Sequence, residues 1–147
     1  MNGRAVEIAT FLELSAAQRD ETTGGIVLAE KVNLDQQFAR FQEHWSPKIV
    51  AGLNDYDVKV VKILGEFVWH QHDDTDELFL VTAGRLRIRL EGQEDMLLGP
   101  GELVVVPRGV RHCPVADEET RLVLLEPRGT TNTGDADVPG TAGEPIA

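Results

Sequence analysis

Two histidines stand one residue apart in the stretch "FVWHQHDDTDELFLVTAG", which covers residues 67–84. Side chains two positions apart on a β-strand point to the same side, so His70 and His72 are placed as a pair of metal ligands, with Val68 beside them. Glu77 opens the apolar strand that follows the acidic run, and a hairpin-like return can bring its carboxylate next to the imidazoles. Imidazole and carboxylate groups bind divalent transition metals, so this stretch predicts a metal site.

A third histidine, His112, follows the apolar run "GELVVVPRGV" and its proline-glycine turn. If the segments 66–72 and 110–116 are neighbours, three imidazoles and the Glu77 carboxylate meet in the interior. A carboxylate taken out of water is costly unless a positive charge compensates it, and otherwise its pKa rises until it is neutral. A divalent cation supplies that charge.

The alternative is that these histidines are satisfied core or surface residues, which is the favoured interpretation of an isolated H-x-H pair. Here three of the four histidines of the chain, together with Glu77, fall in turns and strands that can converge, so we favour the metal site. Asp76 is the rival of Glu77 as the acidic ligand. We expect Phe79 and Val81 to line the interior beside Glu77 and to form, with Val68, the wall of a pocket.

The other chemically active side chains have simpler interpretations. His44 lies at the end of a predicted helix, where an exposed or capping role is favoured. Strand alternation turns the thiol of Cys113 away from the metal, so we expect a small buried apolar residue. Asp73 and Asp74 are interpreted as part of a solvated loop. No residue is assigned as a catalytic acid or base.

Glycine and proline separate short apolar runs through residues 50–127. The predicted strands are "YDVKVVKI", "EFVWH", "ELFLVTA", "RLRIRLE", "ELVVVP" and "TRLVLLE". Short strands with regular turn signals are typical of an all-β sandwich or barrel. In the clearest strand Leu86, Ile88 and Leu90 share one face, and Arg85, Arg87 and Arg89 share the other. We interpret the arginine row as a solvated face rather than an anion site.

A short amphipathic helix is predicted before the strands. The stretch "NLDQQFARFQEHW" places Leu34, Phe38, Phe41 and Trp45 at helical spacing. Asn33 is placed to cap this helix and Pro47 to end it. We divide the chain into an N-terminal extension (1–28), a barrel domain (29–127) and a C-terminal tail (128–147), which on its own would be mobile because it is rich in glycine and proline.

The composition excludes several classes of protein. The 147 residues suffice for one domain with a sizeable core. The formal net charge of -11 repels phosphate backbones and anionic membranes, so neither nucleic acid nor a membrane is expected as a partner. The single cysteine forms no internal disulfide. No stretch approaches the roughly 20 apolar residues that span a bilayer, and no basic start with a long apolar run opens the chain. We therefore expect a soluble, cytoplasmic protein.

Together, the two histidine-containing stretches resemble the two sequence motifs of the cupins. The first motif is matched by Gly65, His70, His72, Glu77 and Gly84, and the second by Gly101, Pro107, Gly109 and His112. The first gap has four residues where five is usual, and Ala116 stands where an Asn often closes the second motif, but neither departure touches a ligand. The resemblance covers about residues 50–127. Flanking segments also resemble short single-domain cupins that are described as similar to mannose-6-phosphate isomerase.

The resemblance implies a double-stranded β-helix, the jelly-roll barrel of the cupins, to which the sequence pattern adds one short N-terminal amphipathic helix. It implies that His70, His72, Glu77 and His112 hold one divalent metal, and such a donor set suits Fe, Mn, Ni, Co, Cu or Zn. We expect a metal-dependent enzyme, an isomerase or a dioxygenase, that acts in the barrel on a small polar molecule such as a sugar derivative or an organic acid. The alternative is a non-catalytic binding or sensing cupin with a structural metal.

Apolar side chains also occupy the strand faces opposite the predicted ligands, namely Phe67, Trp69, Leu78 and Leu80. A sheet that is apolar on both faces must be covered on both. The predicted helix can cover part of this surface and a second subunit the rest. Because homodimers are also frequent in the family that the chain resembles, we expect a homodimer.

Overall fold

The computed structural model describes residues 28–146, and β-strands make up most of the regular structure there. A helix, α1 (Leu34–Phe38), precedes the strands β1 (Lys48–Leu53), β2 (Tyr56–Glu66), β3 (Glu77–Ala83), β4 (Leu86–Leu90), β5 (Met96–Leu98), β6 (Leu103–Val106), β7 (His112–Pro127) and β8 (Glu144–Pro145). Within residues 28–146, no helix has the length and apolar character needed to cross a membrane. All but the last residue of the predicted N-terminal extension lies outside the described residues.

The long strand β7 connects the sheet. It pairs antiparallel with β2, β3 and β4, in the strand order β5-β4-β7-β2-β1-β8, while β6 pairs with β3. A strand has only two edges, so β7 changes neighbours along its length: residues 112–115 pair with β4 and residues 121–125 pair with β3. This exchange wraps the sheet around a common interior and confirms the predicted all-β jelly roll.

The interior changes from apolar to polar along the strands. Leu86, Ile88 and Leu90 alternate inward on β4 and are at most 7% exposed, as their spacing predicted. They join a core cluster that includes Ile63, Phe79, Val81, Leu122 and Leu124. On β2 the positions that share a face with Ile63 become polar at Lys59 and Asp57, which are also buried. The apolar part supplies a rigid frame for the polar part.

The helix is shorter than predicted. Asn33 caps it as expected, because its side-chain Oδ1 accepts a hydrogen bond from a first-turn backbone N–H at 2.9 Å. The helix nevertheless ends at Phe38, and Phe41 and Trp45 lie beyond it. Trp45 has φ 58, and its backbone N–H donates to the carbonyl of Lys62 on β2 at 2.9 Å. A short helix has little stability of its own, so contacts with the sheet determine where it ends.

The segment "EFVWH" is not a regular strand, which corrects another prediction. β2 runs through Glu66, and residues 67–76 form a loop. The loop is bonded to β7 by the backbone N–H of Phe67, which donates to the carbonyl of Pro114 at 3.0 Å, and by the isolated bridge between His70 and His112. The strict alternation of side chains expected for residues 66–72 therefore does not hold. The strands β1, β5 and β8 are not among the predicted strands.

Groups of the same chain contact much of the outer apolar face. Leu80 packs against a cluster formed by Phe38 and Phe41 on the outside of the sheet. The guanidinium of Arg89 lies 5.2 Å from the ring centroid of Trp69. These contacts reduce the need for a second subunit over this face.

Residues 128–146 contact the barrel. β8 pairs in parallel with β1, and Lys48 Nζ donates to Glu144 Oε1 at 2.9 Å. Asn132 Nδ2 donates to the carbonyl of Trp45 at 3.1 Å. The C-terminal tail is therefore bonded to the barrel in the structure. The predicted boundaries between the N-terminal extension, the barrel domain and the tail stay predictions.

Candidate metal centre

The loop of residues 67–76 carries two of the predicted ligands into the interior. His70 and His112 exchange backbone hydrogen bonds of 3.0 and 2.8 Å. The backbone N–H of Gly109 donates to the carbonyl of His72 at 2.8 Å. These bonds anchor both loop histidines to the segment that leads into β7, without a regular strand.

The other two predicted ligands lie at strand starts. Glu77 is the first residue of β3 and pairs with Val106, the last residue of β6. The chain then turns through Gly109, whose φ of +77 favours glycine, and begins β7 at His112. The β6–β7 connection thus returns His112 to the side of Glu77.

The donor groups of His70, His72, Glu77 and His112 converge. One ligand atom from each lies within 4.8 Å of the other three. Oε2 of Glu77 is 3.0 Å from Nε2 of His72 and 3.0 Å from Nε2 of His112. The four residues are between 1% and 7% exposed. The structure therefore brings all four predicted ligands together in a buried site, and we call these four residues the metal group.

Backbone carbonyls orient two of the imidazoles. Nδ1 of His70 lies 2.9 Å from the carbonyl of Val68, and Nδ1 of His112 lies 2.8 Å from the carbonyl of Val110. A carbonyl only accepts, so each Nδ1 carries the proton and donates it. Such a bond fixes the ring and leaves Nε2 to face the centre of the group, as in metal-binding histidines.

Two buried imidazole nitrogens without hydrogen-bond partners show whether the four predicted ligands fit a metal. Nε2 of His70 is buried and has no hydrogen-bond partner among residues 28–146. Nε2 of His72 is also buried, and its approach to Glu77 lacks the geometry of a hydrogen bond. Leaving buried polar atoms unpaired is costly. A divalent cation between the donors satisfies both nitrogens and compensates the carboxylate, so this donor set fits a metal.

The pKa values of His70 and Glu77 agree with this assignment. Burial lowers the pKa of His70 to about 4, which keeps its imidazole neutral. Burial acts to raise the pKa of Glu77, but the adjacent imidazoles of His112 and His72 outweigh it and lower this pKa to about 2. Burial also acts to lower the pKa of His72, but the Glu77 carboxylate outweighs it and raises this pKa. An anionic carboxylate beside a neutral imidazole is the form that binds a metal.

Comparison with known proteins identifies the family. A family model described as "Cupin domain" matches residues 60–127. A cupin-2 domain containing protein from Shewanella frigidimarina is 47% identical, with a TM-score of 0.65 over 66% of this chain and 94% of that one. The chain belongs to the cupin family. The protein NMB1881 from Neisseria meningitidis, 32% identical, has a TM-score of 0.62 over 67% of this cupin and 99% of its own chain.

Curated relatives include an enzyme. Acireductone dioxygenase from Bacillus licheniformis is 30% identical over 80 residues, which are 52% of this cupin and 45% of the dioxygenase. The cupin spans about half the length of the curated relatives it matches. The predicted likeness to mannose-6-phosphate isomerase stays a prediction.

Other candidate residues lie apart from the metal group of this cupin. Asp76, the rival ligand, is exposed and accepts from Arg108 Nε at 3.3 Å. Nε2 of His44 lies 2.8 Å from a carboxylate oxygen of Glu119 at the surface. Cys113 is fully buried, and burial raises its pKa. The interpretations of His44 and Cys113 made from the sequence agree with these positions.

A small cavity of about 30 Å³ adjoins the metal group inside the barrel. Phe67, His70 and Phe79 are among the residues that line it. Val81 is fully buried in the neighbouring core, and Val68 presents its carbonyl to His70. Phe67 lines this cavity because the loop does not follow the alternation of a regular strand.

A larger, open cavity of about 360 Å³ reaches His72 from the solvent side. The loop residues 71–75 and the segment 128–135 supply its walls. Asp73 and Asp74 are exposed here, as expected for a solvated loop. Access to the metal group therefore passes along these two segments.

A buried ion pair next to the site was not predicted from the sequence. Nζ of Lys59 lies 2.9 Å from Oε1 of Glu126, and both side chains are 0% exposed. Burial, together with the charge of Glu77, raises the pKa of Glu126 to about 7. The available signal was a lysine and a glutamate at inward positions of the apolar stretches "VKVVKI" and "LVLLE".

Proposed function

We propose that this cupin is a metal-dependent enzyme that holds one divalent ion with His70, His72, Glu77 and His112. The observation that carries the proposal is the convergence of four buried donor groups within 4.8 Å, with Nε2 of His70 lacking any partner in the described part of the chain. The candidate metals remain Fe, Mn, Ni, Co, Cu and Zn, because three imidazoles and a carboxylate suit all of them.

A divalent ion held by these four residues would supply Lewis-acid or oxygen chemistry to a substrate or O₂ bound at a position that the protein leaves open. The chain's own groups orient the donors, because Val68 and Val110 fix two rings through their carbonyls. Phe79 forms a dry wall, and we propose that Val68 and Val81 complete it. We propose a small polar substrate, a sugar derivative or an organic acid, that enters through the polar cavity at His72.

Oxidation with O₂ is the better supported of the two reaction classes, because this cupin resembles acireductone dioxygenase over 80 residues. Isomerisation is the other class that the donor set allows. The test is oxygen uptake by metal-loaded protein with acireductone and a panel of small organic acids and sugars. Uptake that depends on His72 supports an oxygenase, and conversion without uptake supports an isomerase.

A non-catalytic binding or sensing protein with a structural metal is the second candidate. The observation in its favour is the size of the inner cavity, about 30 Å³, which accommodates about one water molecule. The two candidates differ in whether the coordination sphere is closed. Exchange of coordinated water in the manganese-loaded protein, measured by proton relaxation, distinguishes them because a closed structural site exchanges none.

Metal binding itself is tested by mass spectrometry of protein purified from metal-replete cells. We expect about one metal per chain in the wild type and a large loss in His72→Ala. His44→Ala is the matched control, because His44 lies at the surface beside Glu119. Sub-stoichiometric metal in the wild type, or equal losses in both variants, would refute the site.

We also propose that the protein works in the cytoplasm as a homodimer. Support for the dimer comes from large apolar side chains that remain exposed, Leu97, Leu103 and Val105, at 61%, 57% and 47%. Two of them lie on β6, whose only strand partner among the described residues is β3. An exposed apolar edge strand is prone to pair with another chain.

A further inference from the structure

Gln71 lies between the two predicted ligands of the loop 67–76, and a residue of the C-terminal tail is bonded to it on both sides. The backbone N–H of Gln71 donates to Oδ1 of Asp135 at 2.8 Å, and the backbone N–H of Asp135 donates to the carbonyl of Gln71 at 3.1 Å. The N–H of Gln71 belongs to the peptide group shared with His70, and its carbonyl to the peptide group shared with His72. Asp135 therefore holds the two peptide groups that connect the loop ligands.

The same carboxylate faces the segment that carries a third predicted ligand. Nη1 of Arg111 lies 4.0 Å from Oδ2 of Asp135, and Arg111 directly precedes His112. Both charged side chains are partly exposed, so this ion pair contributes little free energy, and the hydrogen bond to Gln71 is the stronger contact. Asp135 thus faces the two segments that supply three of the four predicted ligands, in each case at a residue adjacent to a ligand.

The turn that presents this carboxylate, residues 132–136, is ordered by its own bonds, and we call it the tail turn. Asn132 and Thr141 exchange two hydrogen bonds of 2.9 Å, one to the backbone carbonyl of Thr141 and one to the side chain of Asn132. The backbone N–H of Ala136 donates to the carbonyl of Thr133 at 2.9 Å, and Thr133 is buried. The tail turn is therefore a fixed support for the loop rather than a loose end.

The loop needs such a support because it is not a regular strand. Backbone bonds at His70 and His72 hold it to the segment that leads into β7. The tail turn supplies the bonds at the residue between them. A metal ligand has to keep its donor atom within about 0.5 Å of the binding geometry, which requires surrounding groups that fix it. Rotation of the peptide groups at Gln71 would displace the residues on both sides, and Asp135 opposes this rotation.

We propose that Asp135 is a positioning residue of the metal group, which acts through Gln71 to keep the imidazoles of His70 and His72 in place for one ion. Asp135 itself does not bind the ion. This inference rests on the proposed metal function and adds a residue outside the four ligands that determines how tightly the metal is held.

The test separates the hydrogen bond from the charge of Asp135. Asp135→Asn retains an oxygen that can accept from the N–H of Gln71 but removes the charge, whereas Asp135→Ala removes both. Asp135→Glu keeps the charge and moves the oxygens one bond further out, and it is the second disabling variant in case Asp135→Ala does not fold. Asp137→Ala is the matched control, because Asp137 is an exposed carboxylate two residues further along the tail.

Each full-length variant is examined by three measurements. Competition with a fluorescent chelator gives the zinc affinity, and circular dichroism of the metal-free protein shows whether it is folded. Hydrogen exchange followed by NMR gives the exchange rate of the Gln71 amide in the metal-free protein. The exchange rate is a direct measure of the contact with the tail turn and does not depend on metal.

We expect Asp135→Ala and Asp135→Glu to bind zinc about tenfold more weakly than the wild type, because loss of a group that supports a metal ligand costs about 10- to 100-fold in affinity. The Gln71 amide should exchange about fivefold faster in these variants, as expected for the loss of one hydrogen bond. Asp135→Asn should recover most of both losses, and Asp137→Ala should match the wild type.

Three results overturn the inference. The first is equal zinc affinity in folded Asp135→Ala and in Asp137→Ala. The second is an equally large loss in Asp135→Asn, because the charge rather than the hydrogen bond would then be responsible. The third is weaker zinc binding without faster exchange of the Gln71 amide, because Asp135 would then not act through Gln71.

The proposed function and this inference fail in different ways. A wild type that binds no zinc or other divalent metal refutes the metal site, and the positioning role fails with it. A wild type that holds one metal with an affinity independent of Asp135 refutes the positioning role alone.

Discussion

Gly134 connects the C-terminal tail to the loop that carries the predicted ligands His70 and His72, and we predict that Gly134→Ala weakens metal binding. The backbone N–H of Gln71 donates to Oδ1 of Asp135 at 2.8 Å, and the N–H of Asp135 donates to the carbonyl of Gln71 at 3.1 Å. A Cβ at Gly134 would collide with that carbonyl and would lie 3.1 Å from Cδ2 of His70. The tail and the loop must separate to accommodate it, and His70 moves with the loop.

The magnitude follows from the contacts that are lost. Gly134 has φ +51, and alanine in this left-handed region costs about 1 kcal/mol. Loss of the two hydrogen bonds between Gln71 and Asp135 costs about 1 kcal/mol each. We therefore expect the free energy of unfolding of the metal-free protein to fall by about 3 kcal/mol in Gly134→Ala. Displacement of groups that support a metal ligand costs about 10- to 100-fold in affinity, so zinc should bind at least tenfold more weakly.

Gly129→Ala is the matched control. Gly129 lies in the same segment with φ +86, but no other atom lies within 4 Å of the site of its Cβ. The free energy of unfolding of Gly129→Ala should fall by about 1 kcal/mol because of backbone strain alone, and its zinc affinity should be unchanged. Urea unfolding of the metal-free proteins and zinc competition against a fluorescent chelator measure both quantities. Equal zinc affinity in the two variants would show that the tail does not support His70.

Four further outcomes are expected. Lys59→Met should destabilise the protein by about 1–3 kcal/mol in urea unfolding, because it leaves the buried Glu126 carboxyl without its hydrogen-bond donor, and adding Glu126→Leu should restore most of the loss; full stability of the single variant would contradict the buried pair. The pKa of His70 is about 4 in the folded state and about 6.5 when unfolded, so the unfolded state binds more protons between these values. The free energy of unfolding of the metal-free wild type should therefore fall by about 3 kcal/mol relative to that of His70→Gln as the pH falls from about 6.5 to about 4. Parallel curves of stability against pH for the two proteins would exclude a buried neutral imidazole. Chelation should lower the melting temperature of the metal-loaded protein, because a ligand that binds only the native state stabilises it; no shift would mean that no metal is held. Val105→Lys should halve the mass measured by light scattering if β6 forms the dimer interface, whereas a wild-type monomer would rule the dimer out.

Three of the predicted ligands, His70, His72 and Glu77, could be brought together from the sequence because that prediction depends on residue types and short spacings, whereas His112 also required the resemblance to the cupins. His70 and His72 lie within one short loop, and the strand that begins at Glu77 follows a few residues later. The inward alternation of Leu86, Ile88 and Leu90 likewise depends on a period of two within a single strand. Such local patterns are present in the sequence itself and need no knowledge of which segments meet.

The features that escaped prediction depend on long-range contacts. The helix ends at Phe38 because Trp45 bonds to β2, which helical spacing does not show. The loop 67–76 departs from strand geometry because it is held by β7 and by the tail. The role of Gly134 is hidden in a segment whose composition is typical of a mobile tail. Lys59 and Glu126 lie 67 positions apart, so only the β2–β7 register reveals their pairing.

The double pairing of β7 also determines how a molecule can reach the interior. This strand begins at His112, includes Glu126 and is bordered by other strands on both edges for much of its length. Displacing β7 would break the hydrogen bonds of two strand ladders at once, so a molecule cannot enter the interior through this part of the barrel wall. A molecule must instead pass between residues 71–75 and 128–135, so these two segments should determine how fast it reaches the predicted metal ligands.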